Sequence, residues 1–243
     1  MGMPVTIVCI DKHIQQADLD TIYQYFRYID EKFSTYKETS EISQINNGNV
    51  KPNQYSAAMK TVLALCEQTK KETNGYFNIL HNGKLDPSGL VKGWAILNAS
   101  KILKEKGCRN FYVDAGGDVQ TAGKNAEGTL WTVGIQNPFN NKEIVKVVSL
   151  DTKGVATSGT AMRGQHIYNP YSPHEAILEI VSITVIGSDV YEADRFATAA
   201  FAMGKQGIAF IEALPGFEAY MIDKDGVATY TTGFDAYCSS RTP

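Results

Sequence analysis

Residues 86–93, Asp-Pro-Ser-Gly-Leu-Val-Lys-Gly, put a carboxylate, a flexible glycine and a cation where a helix begins. The helical reading covers 90–106, with Trp94, Leu97 and Ile102 among its apolar positions and Gly107 as its stop. A helix start offers unpaired N–H groups and partial positive charge, a combination that favours phosphate. Lys92 in the first turn opposes the dipole, so the helix does not explain it and an anionic ligand would. No GxxxxGK[ST] phosphate loop occurs. A second stretch, 191–204, also reads as a helix, ended by Gly204. Asp194 and Thr198 are four apart and share a face, and a carboxylate beside a hydroxyl suits a hard cation such as Mg²⁺. The plainer alternative is a surface aspartate with a threonine bonded back to its own helix.

Three shorter patterns accompany these. Residues 114–118, Asp-Ala-Gly-Gly-Asp, follow a strand-like run. Residues 155–159, Val-Ala-Thr-Ser-Gly, end another, and 165–170, Gln-His-Ile-Tyr-Asn-Pro, carry His166. Each alone reads equally well as a turn or strand end. Their order along the chain resembles the FAD:protein FMN transferase family. Residues 1–4 are similar to its MGT opening, 34–37 and 40–46 to STY and SELSxxN, and 75–78 to GxFD. Residues 86–93 are similar to DLGGxxKG, 114–118 to NxGGD, 155–159 to VATSG, 166–170 to HIxDP and 192–198 to EADxxAT.

The resemblance implies a reaction in which FAD is cleaved and its FMN part is attached to a Thr or Ser hydroxyl of a target protein, releasing AMP. Under it Asp194, Thr198 and the carbonyl of Gly89 hold Mg²⁺, and Asp86 and Lys92 hold FAD. Met1, Tyr36, Tyr76, Phe77, Asn78 and Tyr168 line the bound nucleotide. His166 is the candidate general base, since an imidazole titrates near neutrality, and it is read as sharing a strand with Tyr168. Asp118 is left between a supporting role and a turn cap. The chain departs from the pattern at Asn78 and Asn169, where the family has Asp, and in a short segment between Phe77 and Asp86. Two rivals therefore stand beside transfer: FAD binding or hydrolysis without transfer, and an interaction module that retains only the fold.

The elements that must position these residues form a mixed set. A strand at 4–10 precedes a helix opening near Asp18 with Leu19, Ile22, Phe26, Ile29 and Phe33 at helical spacing, then a helix at 56–73. Strands are expected around Phe111 and at 130–135, 144–150, 166–168 and 177–186. Helices at 190–203 and 205–213 follow, then strands at 217–222 and 227–231 joined by an Asp-Lys-Asp-Gly turn. Without strict βα alternation the fold class is α+β with a largely antiparallel sheet, and the resemblance adds a T-fold-like architecture. The 243 residues suit one domain, or two intimately joined lobes. A formal charge of −3 and the lack of a basic run argue against nucleic acid as partner. No apolar stretch is long enough for a membrane span. Cys9, Cys66, Cys108 and Cys238 show no paired spacing and are expected to be reduced. With no leader pattern the location expected is cytoplasmic, or extracytoplasmic if a leader has been removed.

Overall fold

The computed structural model describes residues 3–160 and 167–238. In chain order the elements are β1 (Val5–Cys9), α1 (Gln16–Phe33), α2 (Glu41–Asn46), α3 (Ala57–Glu72), β2 (Leu80–His81), β3 (Lys84–Leu85), α4 (Ser88–Glu105), β4 (Phe111–Ala115), β5 (Asp118–Ala122), β6 (Trp131–Asn137), β7 (Asn140–Leu150), β8 (Gly154–Gly159), β9 (Ile180–Gly187), α5 (Val190–Ala202), α6 (Gly207–Glu212), β10 (Glu218–Asp223) and β11 (Ala228–Tyr230). Seven of the described strands form one sheet, ordered β1-β4-β5-β8-β9-β10-β11, with every neighbouring pair antiparallel. The strands β6 and β7 make a separate ribbon, and β2 and β3 a short hairpin.

Strand alternation sorts side chains between the two faces of this sheet. On one face Ala156, Ile183, Val185, Ala219 and Met221 pack with Ala193, Phe196, Ala197 and Ala200 of α5. The intervening Val155, Ile186, Tyr220 and Ile222 meet Ile135, Val148 and Leu150 of the ribbon, with Phe234 beneath. A larger cluster joins α1, α3 and α4 to β1 and β4 through Ile22, Phe26, Val62, Ile96, Leu103, Phe111 and Val113. The helix spacing seen in the sequence, Ile22, Phe26, Ile29 and Phe33, is the buried stripe of α1.

Most expected elements form with ends shifted by a few residues. The short elements α2, β2 and β3 and the strand β5 form where the sequence predicts none, and two expectations are corrected. Ile167 and Tyr168 lie outside any strand, so the strand expected at 166–168 does not form at its described positions. The cysteines also correct the sequence reading: Cys9 and Cys108 form a disulfide, while Cys66 and Cys238 stay free. The pairing joins the end of β1 to the loop before β4, where antiparallel pairing brings Cys9 opposite Phe111. Among the described residues no helix is long and apolar enough to cross a membrane.

Candidate active site

Where α4 and α5 meet, their backbones come unusually close. A methyl group on Gly89 would lie 2.8 Å from Thr198 Cγ2, and one on Gly93 2.6 Å from Asp194 Cβ and 2.7 Å from the Val190 carbonyl oxygen. Glycine at both positions, one helical turn apart, is what lets α5 seat here. The start of α4 lacks a side-chain cap of its own. Asp86 serves instead, its Oδ1 accepting from Ser88 N–H at 3.0 Å. Just upstream, Asn46 imitates a strand: its Nδ2 donates to the Leu85 carbonyl at 2.9 Å and its Oδ1 accepts from Leu85 N–H at 2.8 Å. The β2–β3 hairpin is thereby fixed against α2. At the other side, Asp189 caps α5 by accepting from Glu192 N–H at 3.0 Å. Arg195, buried and paired with Glu192 and Glu72, ties α5 to α3.

The seam opens into a cleft of about 2140 Å³. Every described residue that the sequence nominated lines it: Tyr36, Tyr76, Phe77, Asn78, Asp86, Gly89, Lys92, Tyr168, Asp194 and Thr198. Met1 and His166 lie outside the described residues.

The floor is electrostatically tense. Asp194 and Asp118 are both buried, on α5 and at the start of β5. Lys92 Nζ stands 2.5 Å from Asp118 Oδ2 and 3.8 Å from Asp194 Oδ1. Asp194 Oδ2 accepts from Gly93 N–H at 2.7 Å. Burial pushes the Asp194 carboxyl above the usual carboxylate range; Lys92 offsets part of this and Asp118 adds to it. Asp114 beside them is also raised, chiefly by desolvation. Thr198 Oγ1 donates to the Gly89 carbonyl at 3.0 Å rather than back into its own helix, and Ser158 Oγ lies 3.4 Å from it.

These oxygens suit a small hard cation. Two neighbouring ligands of an octahedral Mg²⁺ at 2.0–2.1 Å are separated by about 3.0 Å, which matches the Thr198–Gly89 pair. A carboxylate, a hydroxyl and a carbonyl offer hard donors with no sulfur or imidazole. Elsewhere, among the described residues, the Cys9, Asp11 and Cys108 group clusters tightly, but its two sulfurs are bonded to each other.

The walls hold less expected detail. Tyr36 stands in the turn after α1, 89% exposed, free of the core and open to a ligand. Phe77 lines the cleft, while most of its ring belongs to the core, only 3% exposed. The Tyr168 hydroxyl donates to the carbonyls of Asn78 at 2.8 Å and Leu80 at 3.0 Å, and its ring packs 4.0 Å from His81. Tyr168 thus pins the segment before the hairpin instead of standing free on a strand. Asn78 bends the same segment, its Oδ1 accepting from Leu80 N–H. The sequence did not nominate Ser158, Asp114 or the ribbon wall of Trp131, Val133, Phe139 and Ile144, all of which line the cleft. The motifs 114–118 and 155–159 pointed at the first two; the ribbon carries no chemical pattern to find.

The chain is similar to known proteins in sequence and in fold. A model of the ApbE family matches residues 1–82 and 80–221. The FAD:protein FMN transferase of Escherichia coli K12 is 28% identical over 151 residues, 58% of this chain and 43% of its own length. That of Haemophilus influenzae is 26% identical over 164 residues, 63% of this chain and 47% of its own. The matched stretch thus spans less than half of these curated relatives. The flavin transferase ApbE of Vibrio cholerae superposes with a TM-score of 0.84, covering 98% of this chain and 96% of that one at 20% identity. The ApbE protein of Thermotoga maritima gives 0.85, covering 98% and 97% at 22% identity. These two establish the shared fold, and with the family match over most of its length the chain belongs to the ApbE family.

Proposed function

We propose that this protein is a Mg²⁺-dependent FAD:protein FMN transferase. One observation carries the reading: the Gly89 carbonyl and Thr198 hydroxyl, 3.0 Å apart, share with the Asp194 carboxylate and Lys92 one cleft large enough for a dinucleotide. The names of the curated relatives support it. Gly89, Asp194 and Thr198 would hold the cation, which supplies charge neutralisation for a pyrophosphate. Lys92 binds phosphate oxygens, and Tyr36 and Tyr76 face the flavin ring system. The acceptor's Thr or Ser oxygen attacks the FMN phosphorus; the new P–O bond forms as the pyrophosphate P–O bond breaks, AMP leaves with that electron pair, and the hydroxyl proton passes to a base. His166 is that base on the strength of the sequence alone. Because the reacting phosphates are anionic, positioning and fixed positive charge supply most of the catalysis.

Incubation with FAD, Mg²⁺ and a peptide carrying an acceptor hydroxyl tests the reading. Covalent flavin on the peptide supports transfer. Free FMN with AMP supports hydrolysis alone, and intact FAD supports a module that retains only the fold. The Cys9–Cys108 disulfide supports an oxidising, extracytoplasmic location. A count of four free thiols in protein purified from its native compartment would overturn that location.

A further inference from the structure

Asp118 opens β5 beneath the cleft floor. It is 1% exposed, its Oδ1 accepts from Thr157 N–H at 3.1 Å, and its Oδ2 faces Lys92 Nζ at 2.5 Å. The same Nζ is 3.8 Å from Asp194 Oδ1, a distance that a small rotation of the lysine chain would close. Asp194 Oδ2 accepts from the Gly93 N–H, and Oδ1 is the oxygen that faces the ammonium. One ammonium therefore stands between two buried carboxylates and is held by the one farther from the seam. Charge counting adds to the geometry. Asp118, Asp194 and Lys92 together carry −1 where Lys92 and Asp194 alone sum to zero, so Asp118 adds one negative charge to the attraction for a divalent ion.

The geometry points to Asp118 as a positioning residue that keeps Lys92 off the metal-binding oxygen of Asp194. Lys92 is a built-in competitor for the metal, and Asp118 restrains it while keeping it charged beside the phosphate site. This rests on the metal site proposed above.

The test is Mn²⁺ binding to the purified full chain without FAD, followed by calorimetry and by the free-ion electron paramagnetic resonance signal. Asp118→Asn keeps an oxygen for the Thr157 N–H and removes the charge. Losing one partner of a buried ion pair is a large perturbation, so Mn²⁺ should bind at least about tenfold more weakly. Lys92→Met alone should bind it at least about threefold more tightly, because the competitor is gone. The double variant again carries −1 and should return to within about threefold of wild type. That recovery, in a chain that still carries Asn at 118, separates the role from a folding defect. Wild-type affinity in Asp118→Asn, a double variant as weak as Asp118→Asn, or no tightening in Lys92→Met would each overturn the inference. Absence of saturable Mn²⁺ binding by the wild type would overturn the metal site itself, and the inference with it.

Discussion

The two ends of α4 use the same residue type in opposite ways. At its C-terminal end Asp11 accepts from Arg109 N–H at 2.7 Å, Asn110 N–H at 2.8 Å and the Asn110 side chain at 3.1 Å. Desolvation raises the pKa of this carboxyl, but the hydrogen bonds from Asn110 and Arg109 outweigh it and hold the group below its ordinary value. The disulfide lies alongside. At the N-terminal end, about 27 Å away for an 18-residue helix, Asp118 and Asp194 are buried around one lysine. There burial wins and the Asp194 carboxyl stays raised. One end is saturated with partners and holds the fold; the other is left short of positive charge and waits for it from outside. Such a division is expected where binding needs charges that folding alone would not keep.

Breaking the saturated end should cost the most. The disulfide closes a loop of 99 residues, and the chain-entropy model gives about 4–5 kcal/mol for a loop of that size. Cys9→Ser with Cys108→Ser should lower the urea midpoint accordingly, with turnover per folded molecule kept. Loss of turnover without loss of stability would show that the two ends are not separable.

The other end should respond in reverse. Asp194→Asn keeps an acceptor for the Gly93 N–H and removes a buried charge, so the melting temperature should hold or rise without metal. Turnover with FAD and Mg²⁺ should fall by about 10²–10³, the usual cost of a lost group that stabilises charge in the transition state. A marked drop in melting temperature would make Asp194 a residue of the fold.

A smaller effect tests Asp11. Asp11→Ala leaves three donors without an acceptor and should cost about 1–2 kcal/mol, discounted for exposure. Because its folded pKa is lowered, the stability it contributes is full above its ordinary value of 3.8 and is lost as pH falls through the folded value. The difference between wild type and variant should therefore shrink on acidification below that value, measured by denaturant unfolding at stepped pH.

The mildest test concerns the free thiols. Burial pushes the Cys66 thiol up to about 12, whereas Cys238 is half-exposed. A thiol reagent at pH 8 should titrate Cys238 in the folded protein and reach Cys66 only in denaturant. Fast labelling of Cys66 would show that the α3 packing opens.

The helices of the site were legible because their signals are local. Gly107 and Gly204 stop α4 and α5, and the four-residue spacing of Asp194 and Thr198 fixes their shared face. What escaped depends on distant partners. A cysteine pair 99 residues apart has no spacing rule to betray it. The strand β5 hid behind the glycine turn at 116–117, where both residues take positive φ and read as loop. Ile167 and Tyr168 look strand-like by residue type, yet Tyr168 gives its hydroxyl to two carbonyls some ninety residues earlier. Asn46 likewise reads as a plain helix-end asparagine until Leu85 is placed beside it.

The seam between α4 and α5 also sets when the protein can work. Its contacts join Gly93 to Asp194 across 101 residues and Gly89 to Thr198 across 109, among the pairings that chain topology makes slow to form. A ribosome that has delivered α4 has delivered Gly89, Lys92 and Gly93, but neither Asp194 nor Thr198 to complete the seam. The cleft floor therefore cannot form until residues 194–198 have been made, and a chain cut before residue 194 cannot build it.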